Sequence, residues 1–140
     1  MTTEPELRDL TDDERRAFLA EGAPTAVVVT TRPDGRPHAA PVGFVTDGDD
    51  VLFLTGADTV KAANLRRDPR VTVVIDDGPP YWFVIAEGDA EIVDDAERRR
   101  DVARRTWRRY VGSEPTGDPE PAGSVLVRVR PSRIIARTHR

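Results

Sequence analysis

Short apolar runs, most of them rich in β-branched residues, recur along the chain and are separated by turn residues. Residues 26–31 (AVVVTT) are apolar on both faces, the pattern of a buried strand. Pro33, Asp34 and Gly35 follow as turn chemistry, because proline presets the first turn angle and glycine accepts a positive φ. The chain then returns through residues 37–45, turns at 47–50 and runs out again through 51–54, which predicts a three-strand antiparallel meander. Pro37 and Pro41 lack amide donors, so the second strand is expected to be interrupted or to lie at an edge. VTVVID (71–76) reads as another buried strand, Gly78, Pro79 and Pro80 as a corner, and YWFVIAEGDAEIV (81–93) as a long strand bent at Gly88. The last strand alternates Val125, Val127 and Val129 against Leu126, Arg128 and Arg130, before a proline break and a short extension.

Helical spacing occurs three times. In LTDDERRAFLAEG, Thr11 caps a helix and Glu14 completes a capping box, with Leu10, Phe18 and Leu19 as the apolar stripe. ADTVKAANLRRDP predicts a short helix capped by Asp58 or Thr59, with Val60, Ala63 and Leu65 inward and Asp68-Pro69 as its end. Residues 94–110 predict a polar helix that touches the body through Val102, Ala103, Thr106, Trp107 and Tyr110. Residues 112–123 are a loop by composition. The expected fold is mainly β (α+β), a small antiparallel barrel with peripheral helices, in one domain over 1–140 with residues 1–9 as a loose tail.

Composition narrows the chemistry. With no cysteine, disulfides, zinc-thiolate sites, iron–sulfur clusters and thiol nucleophiles are excluded. No run reaches the ~18 apolar residues that a membrane span needs, and the N-terminus is polar, so no membrane partner and a cytoplasmic location are expected. Net charge is −4 with both signs mixed, which gives no pull towards nucleic acid. Lys61 is the only lysine among 21 basic residues. A GC-rich genome accounts for the bias towards arginine; the surviving lysine sits in the first turn of a predicted helix, after Thr55, Gly56 and Thr59. Free helix amides, threonine hydroxyls and an ammonium together suit a phosphate, with Asn64 three residues further on. The other reading is an ordinary capped helix with a solvated lysine. His38, residues 97–100, Arg67 and the Arg104–Arg105 pair read as surface groups, His139 as part of a disordered end, and no metal-ligand cluster or Ser/His/Asp set stands out.

TTRPDGRPHAAPVGF, LFLTGADTVKAANLRRDPRVTVVIDD and YWFVIAEGDAEIVDD, followed by RRYVG and VRVRPSRIIA, resemble successive blocks of the pyridoxamine-phosphate-oxidase-like split β-barrels. Within them the chain is similar to the actinobacterial branch that uses coenzyme F420 or FMN. The resemblance runs over about residues 10–137. It implies an FMN-binding-like split barrel and a homodimer with cofactors between subunits. Pro41, Val42 and Gly43 would present backbone to the ring, and Thr55, Gly56, Thr59, Lys61 and Asn64 would surround the phosphate. Tyr81 or Trp82 would close the groove from the partner chain, or else serve in core or dimer packing. The implied activity is hydride transfer from reduced F420 to a small unsaturated or electron-poor substrate, with FMN as the alternative cofactor. A second alternative is a non-catalytic carrier or sensor of a flavin, deazaflavin or haem-type ligand. The arginine and lysine pattern of true pyridoxamine-phosphate oxidases is missing.

Overall fold

The structure is a computed structural model that describes residues 6–78 and 81–139. Its strands are β1 (Leu7–Asp9), β2 (Ala26–Thr31), β3 (Pro37–Val42), β4 (Val45–Asp47), β5 (Asp50–Gly56), β6 (Arg70–Asp77), β7 (Trp82–Val93) and β8 (Ser124–His139). The helices are α1 (Asp12–Ala20), α2 (Val60–Arg67) and α3 (Ala96–Val111). All pairings are antiparallel, in the order β3-β2-β6-β7-β8-β5-β4, with β1 on the far end of β8.

Two long strands make this path a split barrel. The early part of β7 pairs with β6 and with the end of β8, whereas its late part faces the start of β8, which also carries β5. Both strands bend where the register shifts between Glu87 and Gly88, opposite Pro131. Gly88 is required there: a Cβ would lie 2.0 Å from the Arg130 carbonyl oxygen, a backbone atom that cannot swing aside. The sequence places the bend correctly in β7. It misplaces the end of the last strand, because Pro131 sits at the bulge, where no ladder amide is needed, and β8 continues to His139.

The expected meander also divides. β2 and β3 form a hairpin with β3 at the edge, as the two prolines require, but β3 ends at Val42 and never pairs with β5. After Gly43 and Phe44 the chain crosses to the other half as β4, and β4 pairs with β5. Residues 7–9, expected in a loose tail, pair with β8 instead. Arg8 also reaches Glu14 on α1 at 2.8 Å, and the Thr11–Glu14 capping box forms as the sequence predicts. The corner residues Pro79 and Pro80 lie outside the described residues.

Alternation along the strands sorts the apolar side chains into two cores. Val28, Phe44, Phe53, Val73, Ile75, Val84, Val127 and Val129 fill the barrel. Val45, Leu52, Val93 and Leu126 pack under Val102 of α3. Each fully buried side chain of this kind contributes about 1.5–3 kcal/mol. On α2 the inward residues are Ala62, Asn64 and Leu65; Val60 and Ala63, expected inward, are exposed.

Candidate functional site

The end of β5 delivers Thr55 and Gly56 into a tight turn ahead of α2, and four hydrogen bonds fix that turn. Thr59 donates to the Gly56 carbonyl from its amide at 3.2 Å and from its hydroxyl at 2.8 Å. The Ala57 amide donates to Gly123 at 2.9 Å, and Arg66 returns from the next turn of α2 to the Ala57 carbonyl at 2.7 Å. Thr59 is the N-cap, accepting the Ala62 amide at 3.3 Å. The amides of Val60 and Lys61, first and second in the helix, have no intrahelical partner by construction. Lys61 is half-buried, and among the described residues its ammonium has no hydrogen bond or ion pair. Free amides, the positive end of a helix and an unpaired ammonium therefore share one turn, which is an anion-binding arrangement.

The two threonine hydroxyls are spent elsewhere. The Thr59 proton goes to Gly56, so in the 3.1 Å contact between Thr55 and Thr59 the donor is Thr55. Both hydroxyls thus shape the turn and leave only lone pairs outward. Asn64 is buried, 2% exposed, and donates to Thr30 of β2 at 3.0 Å. Its oxygen accepts from Arg67 at 3.4 Å, and Arg67 also donates to the Thr31 carbonyl. Asn64 and Arg67 fasten α2 to β2. Arg67 is exposed, as the sequence predicts, but it is hydrogen-bonded. The structure leaves Lys61 and the first-turn amides as the groups of this set that are free for an anion, and their donor chemistry fits a cofactor phosphate.

Pro41, Val42 and Gly43 end the edge strand β3. Pro41 is exposed, Val42 is buried and Gly43 is half-buried. Their position is set by a clamp on α3. A Cβ on Gly43 would lie 3.0 Å from the Tyr110 ring, so the ring rests directly on the glycine backbone. The Tyr110 hydroxyl donates to Pro24 at 2.6 Å and accepts the Phe44 amide at 3.0 Å. Arg109 stacks over Phe44, 4.6 Å from the ring centroid, and donates to the carbonyls of Leu19 at 2.6 Å, Gly22 at 3.1 Å and Phe44 at 3.2 Å. Burial pushes the Arg109 guanidinium down from its ordinary value, and Tyr110 opposes that shift. Arg109 and Tyr110 belong to RRYVG, a motif whose spacing alone does not reveal that it holds the β3–β4 junction.

Tyr81 and Trp82 point to different surroundings. Tyr81 is exposed, 5.5 Å from Phe83 and 5.4 Å from His139 by ring centroids. Trp82 lies 5.8 Å from Phe18 of α1 and lines a cavity of about 420 Å³ with Phe18, Ala17 and Asp77. Along β7, Trp82 is at the opposite end from Val93, which is level with Leu126 and Leu54, next to Thr55. Within one chain the aromatic corner and the Lys61 turn are therefore far apart. His38 is half-buried on β3 opposite Thr30. Among the described residues no group of acidic or histidine side chains has metal-binding geometry, and no helix is long and apolar enough to cross a membrane.

A bent antiparallel sheet with this strand order, carrying a helix-capped turn beside an edge strand, is a split β-barrel. The chain belongs to the pyridoxamine 5'-phosphate oxidase family, whose sequence profile matches residues 11–137. A conserved hypothetical protein of Mycobacterium tuberculosis has the same fold, with a TM-score of 0.85 and 30% identity over 99% of this chain and 91% of that one. An F420 reductase superposes with a TM-score of 0.69 and 29% identity, covering 84% of this chain and 93% of that one. The FAD-binding protein of Mycobacterium smegmatis gives 0.68 and 25%, over 96% of this chain and all (100%) of that one.

Proposed function

We propose that the chain is an oxidoreductase that holds coenzyme F420, with FMN as the alternative, and passes hydride to a small unsaturated or electron-poor molecule. The observation that carries this reading is the unpaired Lys61 ammonium beside the free amides of Val60 and Lys61 on a rigid turn. Such a group suits the phosphate that F420 and flavin nucleotides share. Similarity to an F420 reductase and to an FAD-binding protein supports the same cofactor class. When bound, such a cofactor supplies the hydride chemistry; the chain itself supplies binding, orientation and exclusion of water. Lys61 holds the anionic end, and Pro41–Gly43, fixed by Tyr110, offer backbone to the ring.

The working unit in this reading is a homodimer. Pro41, Val27, Val74, Ile85 and Ile135 stand opposite one another across five strands, forming one apolar row on the outer face of the sheet. Val27 is 37% exposed in the single chain. A continuous apolar row of this kind suits a second copy related by two-fold symmetry. The partner would also supply the aromatic corner that its own β7 keeps away from Lys61.

Equilibrium titration of purified apoprotein with F420 and with FMN tests the cofactor, and light scattering tests the dimer. Turnover is read as faster reoxidation of reduced F420 when a quinone or enone is added with protein. Binding of neither cofactor refutes the reading, and tight F420 binding without acceleration across a broad acceptor panel reduces it to a carrier.

A further inference from the structure

Beyond the Val102 contact, α3 parts from β5 and leaves a cleft of about 300 Å³, lined by Gly43, Leu54, Ala103, Trp107, Tyr110 and Pro119 among others. That volume is at the lower end of small-molecule sites. The charge pattern of α3 is informative here. Arg104, Arg105, Arg108 and Arg109 crowd the helix, yet the residues at 103, 106, 107, 110 and 111, which recur at three- and four-residue spacing, are all uncharged. The cleft is therefore a charge-free space cut into an arginine-rich helix. Its one phenol is already committed to Pro24 and Phe44. A charged ligand entering it would lose hydration and find no counter-group, which is costly. A neutral ring loses little and gains the Trp107 indole, 38% exposed, and the Tyr110 ring as flat walls.

The cleft also adjoins the candidate site. Gly43 belongs to both, and its backbone is the wall between the end of β3 and the Tyr110 ring. The loop that carries Pro119 ends at Gly123, whose carbonyl accepts the Ala57 amide in the turn before Lys61. We propose that this cleft binds a neutral, flat, weakly polar ring molecule beside the candidate site of the oxidoreductase reading above, with the Gly43 backbone between the two. On this ground a phosphate ester such as pyridoxamine 5'-phosphate is excluded from it.

The chain has two tryptophans, and they line different cavities, so the two indole N–H signals of a nitrogen-15 NMR spectrum report separately. Menadione is a suitable neutral probe, since a chain without cysteine offers it no thiol to add to. Titrating it into cofactor-free protein should shift the Trp107 indole saturably and leave Trp82 in place, with Trp82→Phe assigning the signals. Pyridoxamine 5'-phosphate should move neither. Val111→Phe narrows the mouth at a position 55% exposed, where the fold tolerates it, and should weaken menadione binding by more than about tenfold. Thr106→Phe fills the cleft directly and should do the same if it folds. An unmoved Trp107, a shift at Trp82 instead, an equal response to pyridoxamine 5'-phosphate, or unchanged affinity in Val111→Phe overturns the proposal. Cofactor titrations are made separately: their failure removes the oxidoreductase reading, whereas a silent Trp107 removes the cleft.

Discussion

Lys61→Ala tests binding separately from folding. The ammonium has no partner among the described residues, and the turn beneath it is held by Thr59, Arg66 and Gly123 without its help. Removing it should change fold stability by no more than about 0.5 kcal/mol. Cofactor binding should lose a charge-assisted hydrogen bond, about 1.5–3 kcal/mol, or roughly 13- to 160-fold in Kd. Lys61→Arg should also bind less well, because the planar fork needs more room than an ammonium seated against first-turn amides. The assay is fluorescence titration with FMN and with F420 at fixed ionic strength, with urea unfolding in parallel. Arg67→Ala is an unsuitable control, since Arg67 donates to Thr31 and Asn64. Arg36→Ala is suitable: its side chain is 83% exposed on the β2–β3 turn. If Lys61→Ala binds both cofactors as tightly as the parent, the phosphate site is elsewhere and the reasoning from this turn fails.

Gly88→Ala should destabilise the fold by about 3 kcal/mol or more, because the new methyl meets the Arg130 backbone at 2.0 Å; a loss below about 1 kcal/mol by chemical denaturation would show that the bulge yields. Tyr110→Phe leaves the Pro24 carbonyl and the Phe44 amide without their partner and should cost about 1–3 kcal/mol, with weaker cofactor binding as the β3–β4 junction loosens; equal binding would disconnect the clamp from the site. The Arg8 guanidinium and the Thr11 amide hold the Glu14 carboxyl down at about 2 from the usual 4.5. A lowered folded value gives stability that is complete above 4.5 and is lost as pH falls through about 2, so Glu14→Gln should flatten the stability profile in that window. An unchanged acid limb would mean that the β1–α1 link contributes nothing.

Much of the fold is legible because local chemistry and tertiary structure agree. The α1 capping box, the β2–β3 turn and the Gly88 bend are each written within a few residues, and each forms. The failures are non-local. Pro131 reads as a strand end until Gly88, more than forty positions earlier, is seen to oppose it at a bulge. The meander reads as continuous because nothing near Gly43 reveals that Tyr110, on a distant helix, captures the Phe44 amide and steers the chain to the other half. Leu7–Asp9 read as tail for the same reason, since their partners are the last residues of β8.

The site divides along the same line. Lys61 stands out in the sequence because it is a lone lysine at a helix start, and the helix geometry alone makes its neighbouring amides free. Asn64 shares its spacing, which suggests a shared role, but helical spacing fixes only direction. Whether a side chain at that angle meets solvent or another strand depends on what the sheet places there, and β2 places Thr30. The threonines are committed in a subtler way: both are at the turn, yet one proton each is all a hydroxyl has, and Gly56 and Thr59 take them. Counting polar residues near a candidate site overstates its donors whenever the turn that carries them must also be held. Here the discount leaves one ammonium and two amides. The effect of Lys61→Ala should therefore be large, and Thr55→Val should act on the turn's stability before it acts on affinity.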